Sequence, residues 1–388
     1  MLREKMTIEA KEKLISIHSI SEEDQLISMD HQVPLTLGSS LLVPSVQEMA
    51  RKSALDAIPK RYIRDDLRQE LMNVTRSDET DRLLPSLPVI DMKALLDERD
   101  VELEKLHSAC KDWGFFQLVN HNVDENLVEK VKGVIQDLFN HPIEEKQKYW
   151  QKPGDLEGFG QAFVVSDEQK LDWADMFYMV TQPEHSRKPH LFPLLPHPIR
   201  ETFEEYSIEL KNLALKVLKM MAKALKMDVE EMNSLFAEGK QAFRINYYPP
   251  CPQPEKVIGL TPHSDAVGLT ILLQVNDVEG LQIRKDGMWV PVKPLPNGFI
   301  VNVGDILEMV TNGNYRSIEH RAVVNSSKER LSIATFYSPG VDAEIGPAPS
   351  LINSNSPPIF KRINGEDYFK GLFARELAGK SYLDCMRI

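Results

Sequence analysis

The sequence predicts an α+β fold dominated by a β jelly roll, and three observations lead there. From Ala242 onward, about eight short β-type runs follow one another, each closed by a turn signal such as P-P-C-P-Q-P, N-D-V-E-G, K-D-G or L-P-N-G. Ahead of them, apolar residues recur at helical spacing, most extensively over residues 199–227. Finally, 388 residues of ordinary globular composition, 42% hydrophobic and 27% charged, can bury one large core or two smaller ones.

Taken in order, residues 1–40 are polar and mixed in charge, and are expected to form a flexible N-terminal extension. Residues 41–235 are expected to form a helical and mixed region. Ser45 reads as the N-cap of a helix, and Ile58-Pro59 marks its end. Residues 67–84 carry many charges and few apolar anchors, so they read as loop. A short strand at 87–91 precedes a helix at 101–113 with Leu103, Leu106 and Cys110 on one stripe. A strand at 115–119 precedes a second amphipathic helix at 126–139, which buries Leu127, Val131, Val134, Ile135 and Leu138. The glycines of residues 156–163 match neither phosphate-loop pattern and read as a turn into a strand. Asp172, Trp173 and Met176–Phe177–Tyr178 form an aromatic strand pattern. Residues 183–198 are proline-rich and irregular. The long helix at 199–227 aligns Phe203, Tyr206, Leu210, Leu213, Val217, Met221 and Leu225 on one face, which is expected to support the sheet.

Residues 236–345 are expected to hold the strand core, with strands at 242–248, 257–262, 270–274, 281–284, 289–292, 299–303, 317–325 and 330–337. Residues 346–388 contain prolines and then a helix at 368–376.

Composition excludes several function classes. A net charge of −12 argues against non-specific nucleic-acid binding. Three scattered cysteines make no disulfide framework and suit a reducing compartment. No apolar run approaches a membrane span. The N-terminus is too charged for a signal peptide and too acidic for a typical transit peptide. A cytoplasmic, monomeric protein with a small-molecule partner is expected.

The chemistry concentrates between Gly259 and Pro339. G-L-T-P-H-S-D places His263 and Asp265 two residues apart, where side chains on a strand and its exit reach the same face. With His320 from a distant strand they make a 2-His-1-carboxylate set, the ligand pattern of non-haem Fe(II) oxygenases. One H-x-D alone is a weak signal. The following R-L-S adds Arg330 and Ser332, again at i and i+2. The polar turn Asn325–Glu329 between them predicts a hairpin carrying His320 on one strand and Arg330 on the next, both facing inward. An inward arginine in an apolar strand needs an anion, and a guanidinium beside a hydroxyl suits a carboxylate.

These motifs, with N-Y-Y-P-P-C-P-Q-P from Asn246, resemble the plant 2-oxoglutarate- and Fe(II)-dependent dioxygenases over residues 41 to the C-terminus. L-V-P-S-V-Q-E-M-A, A-C-K-D-W-G-F-F-Q-L-V-N-H and S-I-A-T-F-Y-S-P are closest to the branch of senescence-related proteins and morphinan O-demethylases. The resemblance implies a double-stranded β-helix core and a C-terminal helix near the pocket mouth. It implies catalytic iron on His263, Asp265 and His320, with Fe(II), O2 and 2-oxoglutarate as reactants and ascorbate in support. Arg330 and Ser332 would bind 2-oxoglutarate, with Tyr248 and Asn246 also contacting it; Tyr248 also reads as a strand tyrosine at a core edge. Phe336, at i+4 from Ser332, is a candidate for the substrate pocket, as are Phe177 and Trp173, and core packing accounts for each equally well. The implied reaction is hydroxylation or O-demethylation of a small, mostly apolar metabolite of plant specialised metabolism: an alkaloid, flavonoid, terpenoid or hormone. Two other readings use the same fold, a non-catalytic ligand-binding protein and a cupin-like metal hydrolase. The hydrolase has no evident use for Arg330 and Ser332.

Overall fold

The computed structural model describes residues 40–52, 58–67 and 85–388. Apart from Ser40 and Leu67, the expected N-terminal extension and the charged loop at 67–84 lie outside them. Residues Leu37–Ile388 form one compact unit.

The strands are short, as the turn signals predict. They are β1 (Val89–Asp91), β2 (Phe115–Val119), β3 (Gly158–Gly160), β4 (Asp175–Gln182), β5 (Lys240–Tyr248), β6 (Leu260–His263), β7 (Leu269–Gln274), β8 (Leu281–Lys285), β9 (Met288–Pro291), β10 (Phe299–Val303), β11 (His320–Ala322) and β12 (Arg330–Ser338). Eight of them form a major sheet in the order β1-β2-β10-β7-β12-β5-β4-β3, and four form a minor sheet in the order β6-β11-β8-β9. Only the β1–β2 pair is parallel among these ladders.

One expectation is corrected here. His320 and Arg330 do not share a hairpin. β11 pairs with β6 and β8, whereas β12 pairs with β5 and β7 in the other sheet. The turn at Asn325–Glu329 therefore carries the chain from one sheet to the other. The two side chains still converge, because both sheets turn their inner faces to the same interior. β2 and β4, from the expected helical and mixed region, pair directly with β10 and β5 of the expected strand core.

Alternation along each strand separates core from cavity. On β5, Phe243 and Ile245 face the hydrophobic core, while Ala242, Arg244 and Asn246 face the interior between the sheets. The core lies between the outer face of the major sheet and the helices. Helix α1 (Val46–Lys52) begins at Ser45, whose Oγ accepts from the Glu48 N–H at 3.2 Å. Helices α2 (Asp100–Ser108), α3 (Glu125–Asn140) and α4 (His197–Leu225) correspond to the periodic runs. On α4, Phe203, Tyr206, Leu210, Leu213, Val217 and Met221 are all buried. Proline at the first turn of α4 presets its backbone.

Helices α5 (Val229–Phe236) and α6 (Asp305–Val310) are not among the elements expected from the sequence, although Val229, Met232, Leu235 and Phe236 of α5 recur at helical spacing. All six residues of α6 are buried, so no polar face marks it. Helix α7 (Gly365–Phe373) closes the C-terminal region.

Candidate active site

β6 ends at His263, and Asp265 lies just beyond it, while His320 opens β11 directly opposite His263 in the ladder. Register thus brings together residues 57 positions apart. Their ligand atoms lie within 4.8 Å of one another, and all three side chains are buried. Asp265 Oδ1 sits 3.4 Å from His263 Nε2 and 3.6 Å from His320 Nε2.

The hydrogen bonds around this group fix its chemistry. His263 Nδ1 lies 2.8 Å from the Thr261 carbonyl and His320 Nδ1 lies 3.3 Å from the Ile318 carbonyl. A carbonyl accepts only, so each Nδ1 carries the proton and each Nε2 presents a lone pair. Asp265 Oδ2 accepts from Thr270 Oγ1 at 2.6 Å and from Asn302 Nδ2 at 2.8 Å, which turns Oδ1 toward the imidazoles. Burial, the largest influence on Asp265, pushes its carboxyl up. It is overcome by His320, His263 and Thr270, which hold the group well below the usual carboxylate range. Burial, then His263, pulls His320 down to about 4, against the opposing pull of Asp265. Three ligand atoms therefore converge on one point, an arrangement that a cation satisfies. Two imidazole nitrogens and one carboxylate oxygen fit Fe(II), and the second layer of hydrogen bonds is the kind that orients metal ligands.

Beside this group lies a polar cradle on two adjacent strands. Arg330 of β12 pairs in register with Tyr248 of β5, and Ser332 with Asn246. Arg330 is 2% exposed, yet no carboxylate among the described residues pairs with it. Its contacts are long: 3.4 Å to Ser332 Oγ and 3.4 Å to Gln274 Oε1, with its Cζ 5.2 Å from the Tyr248 ring centre and Nε without a partner. Burial pulls the guanidinium below its ordinary pKa, partly offset by Tyr248. Burial pushes the Tyr248 phenol up, against Arg330 and Arg244. Gly280 makes room for this side chain, since a Cβ there would stand 2.8 Å from Arg330 Cδ. A buried cation with an orphaned donor is costly alone and fits a carboxylate.

Two cavities meet at these residues. One holds the ligand triad, Arg330, Ser332, Tyr248 and Asn246. The other, larger one opens beyond it; the two share His263, Asp265, Arg244 and Phe336. Its walls include Phe163, Phe336, Met176 and Tyr178, and α7 contributes Phe369, Leu372 and Phe373.

Two candidate pocket residues are corrected. Phe177 is one position out of phase: Met176 and Tyr178 of β4 line the cavity, while Phe177 points into the core, stacked on Phe159 at 4.5 Å. Trp173 precedes β4 and is fully buried in a separate cluster, edge-on to Tyr62 at 5.4 Å. Residues that sequence reasoning missed are Thr270 and Asn302 behind Asp265, Gln274 beside Arg330, and the α7 aromatics. Strand alternation predicts an inward Thr270, but its partner Asp265 depends on tertiary packing.

Comparison with known proteins bears on this geometry. Residues 239–339 match the 2OG-Fe(II) oxygenase superfamily, and residues 87–195 match the N-terminal domain described as non-haem dioxygenase in morphine synthesis. Protein SRG1 of Arabidopsis thaliana is 57% identical over 354 residues, covering 90% of this chain and 98% of that protein. Oxoglutarate-dependent flavonoid 7-O-demethylase 1 of Ocimum basilicum is 57% identical over 357 residues, covering 91% and 93%. Codeine O-demethylase of Papaver somniferum is 53% identical over 365 residues, covering 93% and 100%. Among solved structures, JOX2 in complex with 2OG, Fe and JA is similar with a TM-score of 0.76 and 34% identity, covering 89% of this chain and 98% of that one.

Proposed function

The chain belongs to the 2OG-Fe(II) oxygenase superfamily, and on that premise we propose a division of labour among its residues. It is an Fe(II)- and 2-oxoglutarate-dependent oxygenase. When bound, iron and cosubstrate couple oxidative decarboxylation of 2-oxoglutarate by O2, yielding succinate and CO2, to oxidation of a substrate C–H bond.

The protein's part is position and exclusion of water. His263, Asp265 and His320 hold the iron through Nε2, Oδ1 and Nε2. Thr270 and Asn302 keep the carboxylate turned toward it. Arg330, Ser332, Tyr248 and Asn246 bind 2-oxoglutarate, with the guanidinium taking the distal carboxylate. The single observation that carries this reading is the buried Arg330, orphaned at Nε beside three convergent acceptors. A cupin-like hydrolase has no evident use for that cation, and a non-catalytic binding protein has none for an intact set of iron ligands.

The aromatic cavity is the substrate's place, with Phe336 as one wall. Its lining, and relatives named as flavonoid and codeine demethylases, support a small, mostly apolar molecule of plant specialised metabolism. The reaction is hydroxylation or O-demethylation; in the second case the oxidised methyl leaves as formaldehyde and a hydroxyl remains. Three free cysteines suit a reducing cytoplasm, where the protein acts as a monomer. No described helix is long and apolar enough to cross a membrane.

The test supplies purified protein with Fe(II), ascorbate, 2-oxoglutarate and a plant metabolite extract, and reads succinate and products by mass spectrometry. A product gaining one oxygen identifies a hydroxylase, and one losing CH2 a demethylase. No succinate above a control without substrate, from protein that binds iron, overturns the reading.

A further inference from the structure

Apart from His263, Ser264 and Asp265 at the proposed metal site, the larger cavity is mostly apolar, and its two remaining charged side chains lie on one strand. On β5, Lys240, Ala242 and Arg244 occupy alternate positions and all face it. Lys240 lies opposite Ser338 of β12 and Arg244 opposite Ala334, with Phe336 in register with Ala242 between them. The small Ala242 leaves the floor open between two long cationic side chains, whose Cα atoms stand roughly 13 Å apart along an extended strand.

Neither cation is in direct contact with a carboxylate: among the described residues none lies within ion-pair distance of either one. Arg244 donates from Nε to Asn246 Oδ1 at 2.9 Å, which leaves its terminal nitrogens directed elsewhere. Burial draws the Lys240 ammonium below its ordinary pKa, and Glu157, the acid whose charge opposes this, also lies 3.7 Å from Lys188 and accepts from the Val180 N–H at 2.9 Å. The one acid lining the cavity is Asp265, which the proposed metal would offset. Both cations are half-buried, within reach of a bound molecule but poorly screened by water.

We infer that this cavity selects an aromatic substrate bearing an anionic oxygen, a carboxylate or an acidic phenol, remote from the oxidised carbon, and disfavours protonated amines. Lys240 binds the anionic end, and Arg244, beside the seam between the cavities, binds an acceptor oxygen nearer the metal site. Like-charge exclusion works against an ammonium group as strongly as attraction favours the anion. The inference rests on the oxygenase reading only in taking this cavity as the substrate's.

The test is binding, not turnover. The full-length protein, with Mn(II) and 2-oxoglutarate, is titrated with 4-methoxycinnamate, its neutral amide and 4-methoxyphenethylammonium by calorimetry. 7-Hydroxyflavone, above and below its phenol pKa, separates phenolate from carboxylate recognition. The carboxylate is expected to bind at least tenfold tighter than the amide, and the amine weaker than both. Raising salt should narrow the gap. In Lys240→Met the carboxylate-to-amide ratio should fall toward one, and Lys240→Arg should restore it. Equal affinity of acid and amide in the unaltered protein, or tighter binding of the amine, overturns the inference. Charge-selective binding here, together with no succinate in the Fe(II) assay described above, would instead refute the oxygenase reading and leave this one standing.

Discussion

Replacing Arg330 with methionine separates the cost of a buried charge from its use. The side chain is 2% exposed, its two terminal contacts are long, and its Nε has no partner. Without cosubstrate the guanidinium is a desolvated charge with little return, so an apolar replacement of similar length should leave the fold as stable or more stable. With cosubstrate the balance reverses. Truncating one member of a desolvated, hydrogen-bonded charge pair costs about 2–5 kcal/mol, which corresponds to a 2-oxoglutarate Kd raised roughly 30- to 5,000-fold. The assay is thermal or chemical unfolding with and without 2-oxoglutarate, in the presence of Mn(II) and without oxygen. At 100 times the unaltered Kd, the ligand stabilises the native protein by about 2.7 kcal/mol; a 30-fold weaker variant retains only about 0.9 kcal/mol at the same concentration. Metal affinity should change little. A variant that is destabilised without ligand by more than about 1 kcal/mol, or whose ligand-induced shift is unchanged, would falsify the assignment of Arg330 to the 2-oxoglutarate carboxylate.

His263→Ala should abolish succinate formation and metal binding while leaving far-ultraviolet circular dichroism intact; a variant that still turns over removes His263 from the ligand set. Asn302→Ala frees Asp265 Oδ2 from one of its two donors, and should weaken Mn(II) binding about 10- to 100-fold with little change in 2-oxoglutarate affinity measured at saturating metal. Asp175 accepts from Ser45 Oγ and from the Val46 and Gln47 N–H groups, yet burial outweighs these bonds and raises its carboxyl pKa. The native state then binds more protons than the unfolded chain from about pH 4, the unfolded Asp value, up to the raised native one, so this group's contribution to stability falls as pH rises through that window. In Asp175→Asn, denaturation midpoints between pH 4 and 8 should lose that component, and a steeper fall than in the unaltered protein would contradict the assignment.

What the sequence determined by itself are the features that depend on short spacing. The i, i+2 pairs His263–Asp265 and Arg330–Ser332 place each pair on one side of a strand whatever the rest of the chain does, and the apolar stripe of α4 requires a partner surface for the same reason. What only the tertiary structure decided depends on register between distant strands. Nothing local distinguishes Phe177 from Met176 and Tyr178 as a cavity residue, because a strand buried on both faces shows no alternation in hydrophobicity, and a phase error of one residue reverses the answer. The same holds for Asn302, an asparagine on an otherwise apolar strand until β7 and β10 pair and set its amide against Asp265. The turn at Asn325–Glu329 reads as a hairpin because polarity marks where a strand ends but not which sheet the next one joins. Sheet membership is fixed by long-range pairing, and here that pairing sends β11 and β12 to opposite sheets and makes one interior of the space between them.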